Sequence, residues 1–231
     1  MWTARPVEDM STNPVRVIVW SEETEVGDVY PQGINGAIAT ALNDRSDVIA
    51  ETATLEDEGQ GVPQVALDAA DVVVWWGHLR HDDVSDETVG RLERFVREDG
   101  NGFIALHSGH YARPFTSLID ASGDLGDVRT VEGETERIAV ADPDHPIAAG
   151  VEDFALPDVE MFGEPFDVPE PDAVVLHSTF SEGGEFRSGV TFSVGDGRVF
   201  YLRPGHETFR IYHDGRIRRI LRNAVGWAAG K

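Results

Sequence analysis

The sequence predicts an α/β protein with a three-layer α/β/α architecture and a mostly parallel central sheet. Apolar runs of strand length alternate with segments of helical periodicity through the first half of the chain. These runs are apolar on both faces, as in a parallel sheet that is covered by helices on each side. The 231 residues, of which 41% are hydrophobic, suffice for one sizeable core.

The first half of the chain supplies the parallel strands and their crossovers. The predicted strands are 15–20, 48–50, 71–77 and 102–106. The segment 33–42 has helical spacing, and Ser85 is placed to cap a second helix with acids in its first turn. A β-α-β-α-β order with short loops implies right-handed crossovers and parallel pairing.

The pattern changes after about Asp120. Short alternating stretches predict further strands at 137–141, 173–177, 188–194 and 198–202, and the segment 210–229 has the spacing of a final helix. No repeat or low-complexity linker divides the chain. We therefore expect a single domain over residues 15–231, preceded by a flexible tail over residues 1–14, in which Met10 is an alternative start to Met1.

Charge and composition exclude several classes of protein. The formal charge is −23, so a nucleic-acid partner is not expected, since phosphate binding needs a basic surface. Such acidity favours a protein adapted to high salt, where screening makes self-repulsion tolerable. No apolar run is long enough to cross a membrane, and the first residues lack a signal-peptide core. We expect a cytoplasmic protein from a halophilic source.

The chain contains no cysteine, which excludes disulfides, thiolate metal sites and a cysteine nucleophile. Histidines instead follow three predicted strands, at His78, His107 and His206. Ligands of open α/β sheets bind at the carboxyl ends of the strands. These histidines are therefore expected to share one site, as acid/base groups or as ligands of a divalent metal.

One of these segments, 105–109, has the strand–turn–helix pattern of a nucleophile elbow, with His107 in the central position. Ser108 is better explained as a helix N-cap than as a nucleophile. A further segment, 160–167, is predicted to be an aromatic, proline-punctuated loop that carries Glu160 and Glu164. Its apolar neighbours would raise a carboxyl pKa, although solvated surface acids explain the pattern equally well.

Several motifs together resemble blocks of the ThuA-like (trehalose utilisation) family. They include WWGH at 75–78, LHSGH at 106–110, EMFGEPF at 160–166 and RPGHET at 203–208, within a similarity that spans about residues 15–229. The resemblance implies a flavodoxin-like, class I glutamine amidotransferase-like fold and a link to disaccharide or keto-sugar metabolism. It does not imply glutaminase activity, because the elbow carries His107 where amidotransferases have cysteine.

These observations lead to an assignment of roles. The predicted catalytic residues are His107, His206, Glu207, Glu160 and Glu164, with Glu207 orienting His206. The predicted substrate-binding residues are Trp76, His78, His110, Arg187 and Arg203. A divalent metal such as zinc would be held by His78, His107 and His206, and no nucleotide cofactor is expected.

The resulting hypothesis is an enzyme that acts on a small carbohydrate, a disaccharide or its keto derivative. Two alternatives stay open, namely a non-catalytic sugar- or metabolite-binding module and a structural metal site without chemistry. A homo-oligomer is compatible with the fold, but no apolar stripe in the sequence marks an interface.

Overall fold

The computed structural model describes residues 13–24 and 27–230. One nine-stranded sheet runs through the molecule in the order β2-β1-β3-β4-β11-β10-β9-β6-β7. Its strands are β1 (Val15–Ser21), β2 (Val48–Thr54), β3 (Val72–Trp76), β4 (Gly102–Leu106), β6 (Glu136–Val140), β7 (Phe154–Leu156), β9 (Ala173–Phe180), β10 (Glu185–Val194) and β11 (Gly197–Leu202). The predicted tail lies almost wholly outside the described residues and stays a prediction.

The sheet has a parallel half and an antiparallel half. Strands β2, β1, β3, β4 and β11 pair in parallel, and β10, β9, β6 and β7 extend the sheet with antiparallel pairs. Every residue of β3 and β4 is buried, as expected for strands that are covered on both faces. The order 2-1-3-4 followed by a fifth parallel strand is that of flavodoxin-like sheets.

Helices cover the sheet in two layers. They are α1 (Gly33–Asn43), α2 (Gln64–Leu67), α3 (Asp86–Arg97), α4 (Arg113–Ile119) and α5 (Gly215–Ala228). Helix α1 contacts α5, and α3 contacts α4. The hydroxyl of Ser85 accepts a hydrogen bond from the Thr88 amide, so the predicted N-cap of α3 is confirmed. Among the described residues, no helix is long and apolar enough to span a membrane.

A separate two-stranded antiparallel ribbon joins β5 (Leu125–Thr130) to β8 (Glu160–Phe166). The segment 160–167 was expected to be a loop, and that expectation is wrong for residues 160–166. The segment does not show the alternation of buried and exposed residues that is typical of a strand, because Met161, Phe162 and Gly163 are buried in succession. The ribbon brings the carboxylate of Glu160 to the edge of the main sheet.

Candidate functional site

Three histidines lie together at the carboxyl ends of three neighbouring strands. His78 follows β3, His107 follows β4, and His206 follows β11. Their ring centroids are separated by 5.9 Å (His78–His107), 5.3 Å (His78–His206) and 5.4 Å (His107–His206). Because β3, β4 and β11 are adjacent and parallel, their ends meet at one edge of the sheet. The structure thus brings together the three histidines that the sequence placed at strand ends.

The backbone of His107 has the left-handed conformation, with φ at 52°. Few residues other than glycine adopt this conformation, and it is found at the sharp turn of a nucleophile elbow. His107 opens a short 3₁₀ turn, His107–Tyr111, directly after β4, and its side chain is fully buried. The turn directs the imidazole away from the strand and towards the ribbon.

The hydrogen bonds of His107 define its tautomer. Nδ1 lies 3.1 Å from the carbonyl oxygen of Arg203. A carbonyl only accepts hydrogen bonds, so Nδ1 carries a proton. Nε2 lies 3.2 Å from Oε2 of Glu160. Burial lowers the pKa of His107, which favours the neutral ring, and its Nε2 then presents a lone pair to the carboxylate.

The carboxylate of Glu160 is held in place by the ribbon. The hydroxyl of Thr130, the cross-strand partner of Glu160, donates a hydrogen bond of 3.3 Å to Oε1. The ring of Phe162, two residues further along β8, stacks on the ring of His107 with a centroid distance of 5.0 Å. The other carboxylate oxygen, Oε2, therefore faces His107. A proton or a metal cation between these two acceptor atoms would stabilise the arrangement.

A second carboxylate, Glu207, lies between His78 and His206. Its Oε1 is 3.6 Å from Nε2 of His78, and its Oε2 is 3.4 Å from Nδ1 of His206. Nδ1 of His78 is 3.0 Å from the hydroxyl of Ser108. The expectation that Ser108 is a helix N-cap is wrong: no side chain within residues 13–24 and 27–230 caps that turn, and the Ser108 hydroxyl contacts His78 instead.

Two groups of side chains in the described part of the chain have the spacing needed to hold a metal ion. One group is His107, Glu160 and His206, and the other is His78, His206 and Glu207. Within each group the ligand atoms lie within 4.8 Å of one another. His206 belongs to both, so the two groups form one continuous histidine–carboxylate cluster.

Two predicted site residues pair with each other rather than with this cluster. The guanidinium of Arg187 donates to both carboxylate oxygens of Glu164, with Nε at 2.9 Å from Oε1 and Nη2 at 3.1 Å from Oε2. The amides of Phe166 and Arg187 also donate to this carboxylate. Although burial alone would raise it, the pKa of Glu164 is lowered, because these hydrogen bonds favour the charged form.

Three predicted substrate-binding residues are buried beneath the cluster. Trp76 donates from Nε1 to the carbonyl oxygen of Gly205 at 3.0 Å, and it is not exposed. Nδ1 of His110 lies 2.8 Å from the carbonyl oxygen of Gly123, in surroundings where burial lowers the pKa of His110 to about 3. Arg203 is 1% exposed. These side chains support the site but do not line it.

Arg203 links the two halves of the sheet beneath the site. Its guanidinium contacts the buried carboxylate of Glu136 and the backbone carbonyl of Glu160. Its own carbonyl oxygen accepts the hydrogen bond from His107. One residue thus holds both the His107 ring and the strand that carries Glu160.

Sequence reasoning missed three residues that orient the site. Thr130 contacts Glu160, Ser108 contacts His78, and the buried carboxylate of Glu22 accepts from the amides of Leu79 and Arg80 at 2.5 and 3.0 Å. Of these three, only Glu22 could have been predicted from the sequence, because it directly follows the apolar segment that forms strand β1 and so lies at a strand end. The roles of Thr130 and Ser108 depend on contacts between distant segments.

Fold and site together define a flavodoxin-like, class I glutamine amidotransferase-like α/β protein with a histidine–carboxylate cluster at the strand ends. A family model described as "ThuA: Trehalose utilisation" matches residues 16–228. The chain belongs to this family.

Solved structures show the same fold. A ThuA-like protein from Parabacteroides merdae has a TM-score of 0.72 at 15% identity and covers 95% of this chain and 91% of its own. One from Bacteroides uniformis has a TM-score of 0.68 at 15% identity, with 97% and 95% covered. Cytoplasmic protein STM3548 from Salmonella typhimurium has a TM-score of 0.66 at 13% identity, with 93% and 99% covered. A search among curated proteins gave no match.

Proposed function

We propose that this protein is a carbohydrate-acting enzyme that moves a proton next to the carbonyl group of an oxidised (keto) disaccharide. The observation that carries the proposal is the distance of 3.2 Å between Nε2 of His107 and Oε2 of Glu160, at the strand ends where α/β enzymes bind ligands. Membership in the trehalose-utilisation family supports the choice of a disaccharide.

The His107–Glu160 pair has the features of a general base. Nδ1–H of His107 is fixed by the Arg203 carbonyl, so Nε2 is the nitrogen that can take a proton. In the proposed reaction a C–H bond adjacent to the carbonyl breaks and its electron pair forms an enolate. Because Nε2 is buried, the proton reaches it by way of the Glu160 carboxylate, whose side chain is 13% exposed. Glu160 then accepts a charge-assisted hydrogen bond from Nε2–H of the resulting imidazolium.

His206 supplies the complementary hydrogen-bond donor. The amide of Thr208 donates to Nδ1 of His206 at 3.2 Å, so this nitrogen is an acceptor and the neutral ring carries its proton on Nε2. That N–H can stabilise the negative charge that develops on the enolate oxygen. In an isomerase the proton then passes to the former carbonyl carbon, while the hydroxyl proton of the deprotonated carbon shifts to the enolate oxygen and a new carbonyl forms. In a lyase the glycosidic C–O bond β to the carbonyl breaks as the enolate collapses, and the proton passes to the departing oxygen.

Amide hydrolysis of glutamine is not proposed. The chain has no cysteine, and the elbow position is occupied by the fully buried His107. Glutamine hydrolysis of this type relies on a cysteine thiolate as nucleophile, and the imidazole of His107 does not supply one. We further propose a cytoplasmic location, which agrees with the description of the Salmonella structural neighbour as a cytoplasmic protein.

The test is deuterium exchange and turnover of a keto-disaccharide with the wild type and the His107→Asn variant. Asparagine tolerates a positive φ, and its side-chain amide can donate to Arg203 as Nδ1–H does, but it has no counterpart of Nε2. Loss of a general base should slow exchange by roughly 10²–10⁴-fold. Glu160→Gln should also slow exchange.

A matched control is His177→Asn. His177 also has a carboxylate neighbour, Glu185 at 3.8 Å, but it lies on β9, and its side chain is 35% exposed. This variant should exchange and turn over substrate as the wild type does. Undiminished exchange in His107→Asn would refute the proposal. Stabilisation of the wild type by a keto-disaccharide without exchange or turnover would favour the sugar-binding module instead.

A further inference from the structure

The surroundings of Glu207 contain acceptor atoms without a matching donor. Oε2 of Glu207 is buried and has no hydrogen-bond donor among the described residues. Its near neighbour at 3.4 Å is Nδ1 of His206, which itself accepts from the Thr208 amide. A backbone N–H can only donate, so Nδ1 is an acceptor, and it lies beside the carboxylate oxygen with no proton between the two atoms. Such a pair of acceptors is costly when it is buried.

The other oxygen of Glu207 has similar surroundings. Oε1 lies 3.6 Å from Nε2 of His78, whose Nδ1 is within 3.0 Å of the Ser108 hydroxyl. A hydroxyl can accept the Nδ1 proton, and Nε2 is then left with its lone pair towards Glu207. Histidines that bind metals commonly donate their other N–H to an oxygen in this way. On both sides of Glu207, therefore, a carboxylate oxygen lies beside a histidine nitrogen that has no proton to donate.

We propose that His78, His206 and Glu207 bind a divalent metal ion through Nε2 of His78, Nδ1 of His206 and an oxygen of the carboxylate. On binding, Nδ1 of His206 exchanges its hydrogen bond from the Thr208 amide for the metal, and its proton stays on Nε2. The ligand atoms of the three residues lie within 4.8 Å of one another. A tetrahedral site with bonds of about 2.1 Å has edges of about 3.4 Å. The separation of 3.6 Å between His78 and Glu207 is close to such an edge, so small rotations of the side chains would complete the site.

The donor set indicates which ions fit. Two imidazoles and one carboxylate suit Zn²⁺, and they also suit Fe²⁺, Co²⁺ or Mn²⁺ with open positions for water or substrate. When bound, such an ion would polarise a carbonyl oxygen. The site shares His206 with the proposed proton transfer, and a metal on Nδ1 leaves the Nε2–H of that ring free to donate. It goes beyond the proposed function because it uses neither His107 nor Glu160, and its occupancy can be measured without any substrate.

The test uses the full chain after removal of metal with a chelator, followed by titration with Zn²⁺ or Co²⁺. Calorimetry should show one ion per chain, and Co²⁺ should develop the visible absorption of a nitrogen-coordinated ion. At a metal concentration of about 100 times Kd, the melting temperature should rise by on the order of 5–10 °C.

Variants locate the ion. His78→Asn and Glu207→Gln should each weaken binding by at least about 10-fold, since each removes one of three ligands. Glu160→Gln is the matched control, because it alters a carboxylate of the neighbouring group and should leave Kd unchanged. If either of the first two variants fails to fold, the other and the wild-type Co²⁺ spectrum still decide the question.

Two outcomes would overturn the metal site. One is a folded wild type that binds neither ion, and the other is binding that is lost in Glu160→Gln but kept in Glu207→Gln. Neither outcome would refute the proposed function, which is tested by deuterium exchange of the keto-disaccharide in His107→Asn. Conversely, a metal bound as expected together with normal exchange in His107→Asn would refute the function and leave the metal site standing.

Discussion

Replacement of His110 should change how the stability of the protein depends on pH. The ring is 1% exposed and packs against Phe162, Phe166 and Tyr201. Burial lowers its pKa to about 3, and the hydrogen bond to the Gly123 carbonyl only partly offsets this. The charged groups that act on it are those of His107, His81 and Glu160.

The sign of the effect follows from proton binding. An unfolded chain binds a proton at His110 with a pKa of about 6.5, while the folded protein does not until the pH approaches 3. The unfolded state therefore binds more protons between these values, and stability falls as the pH drops through this window. From pH 7 to pH 5, one such histidine lowers the free energy of unfolding by about 2 kcal/mol.

The assay is urea denaturation of the wild type and of His110→Asn at pH 7 and pH 5, at constant ionic strength. Asparagine can keep the donation to Gly123 but does not titrate. Its lost packing lowers stability at both pH values, so only the change with pH is informative. The stability gap between the two proteins should shrink by about 2 kcal/mol at pH 5. An equal stability difference at pH 7 and pH 5 would refute a buried, neutral His110. The difference between the wild type and His110→Phe should also shrink by about 2 kcal/mol at pH 5, because phenylalanine does not titrate either.

Three further predictions concern stability. Glu136→Gln leaves the buried Arg203 without a charged partner and should cost about 3–5 kcal/mol in urea denaturation; a loss below 1 kcal/mol would contradict this. Ser85→Ala removes the acceptor for the Thr88 amide and should cost about 1 kcal/mol, whereas Ser85→Asp should cost little. With a formal charge of −23, the urea midpoint should rise from low to molar KCl, and equal midpoints would rule out adaptation to salt.

The parallel half of the fold could be predicted because its signals are local. Strands that are buried on both faces give continuous apolar runs, and the burial of all five residues of β3 and of β4 confirms that interpretation. The cap at Ser85 depends on residues three positions apart. The strand β8 was missed because Pro165 and Gly163 in this segment are typical of a loop, whereas its strand conformation depends on pairing with the distant β5.

The candidate site also depends on contacts between distant segments, which local sequence patterns do not predict. Position at a strand end was enough to bring His78, His107 and His206 together, because parallel neighbours end at a common edge. It could not tell which polar side chains face the site and which lie beneath it. Arg203 was expected to bind substrate, yet its partner Glu136 is 67 residues away in sequence, and their contact buries both charges.

That buried contact also explains why the geometry of the site is fixed. A desolvated guanidinium must be neutralised and hydrogen-bonded, so Arg203 is held on one side by Glu136 and on the other by the carbonyl of Glu160. Its backbone oxygen in turn fixes the proton of His107 on Nδ1. The tautomer on which the proposed base depends therefore follows from a residue whose ion pair is buried beneath the cluster. A residue that the sequence pattern assigned to binding instead holds His107 and the strand that carries Glu160, the two residues of the proposed base.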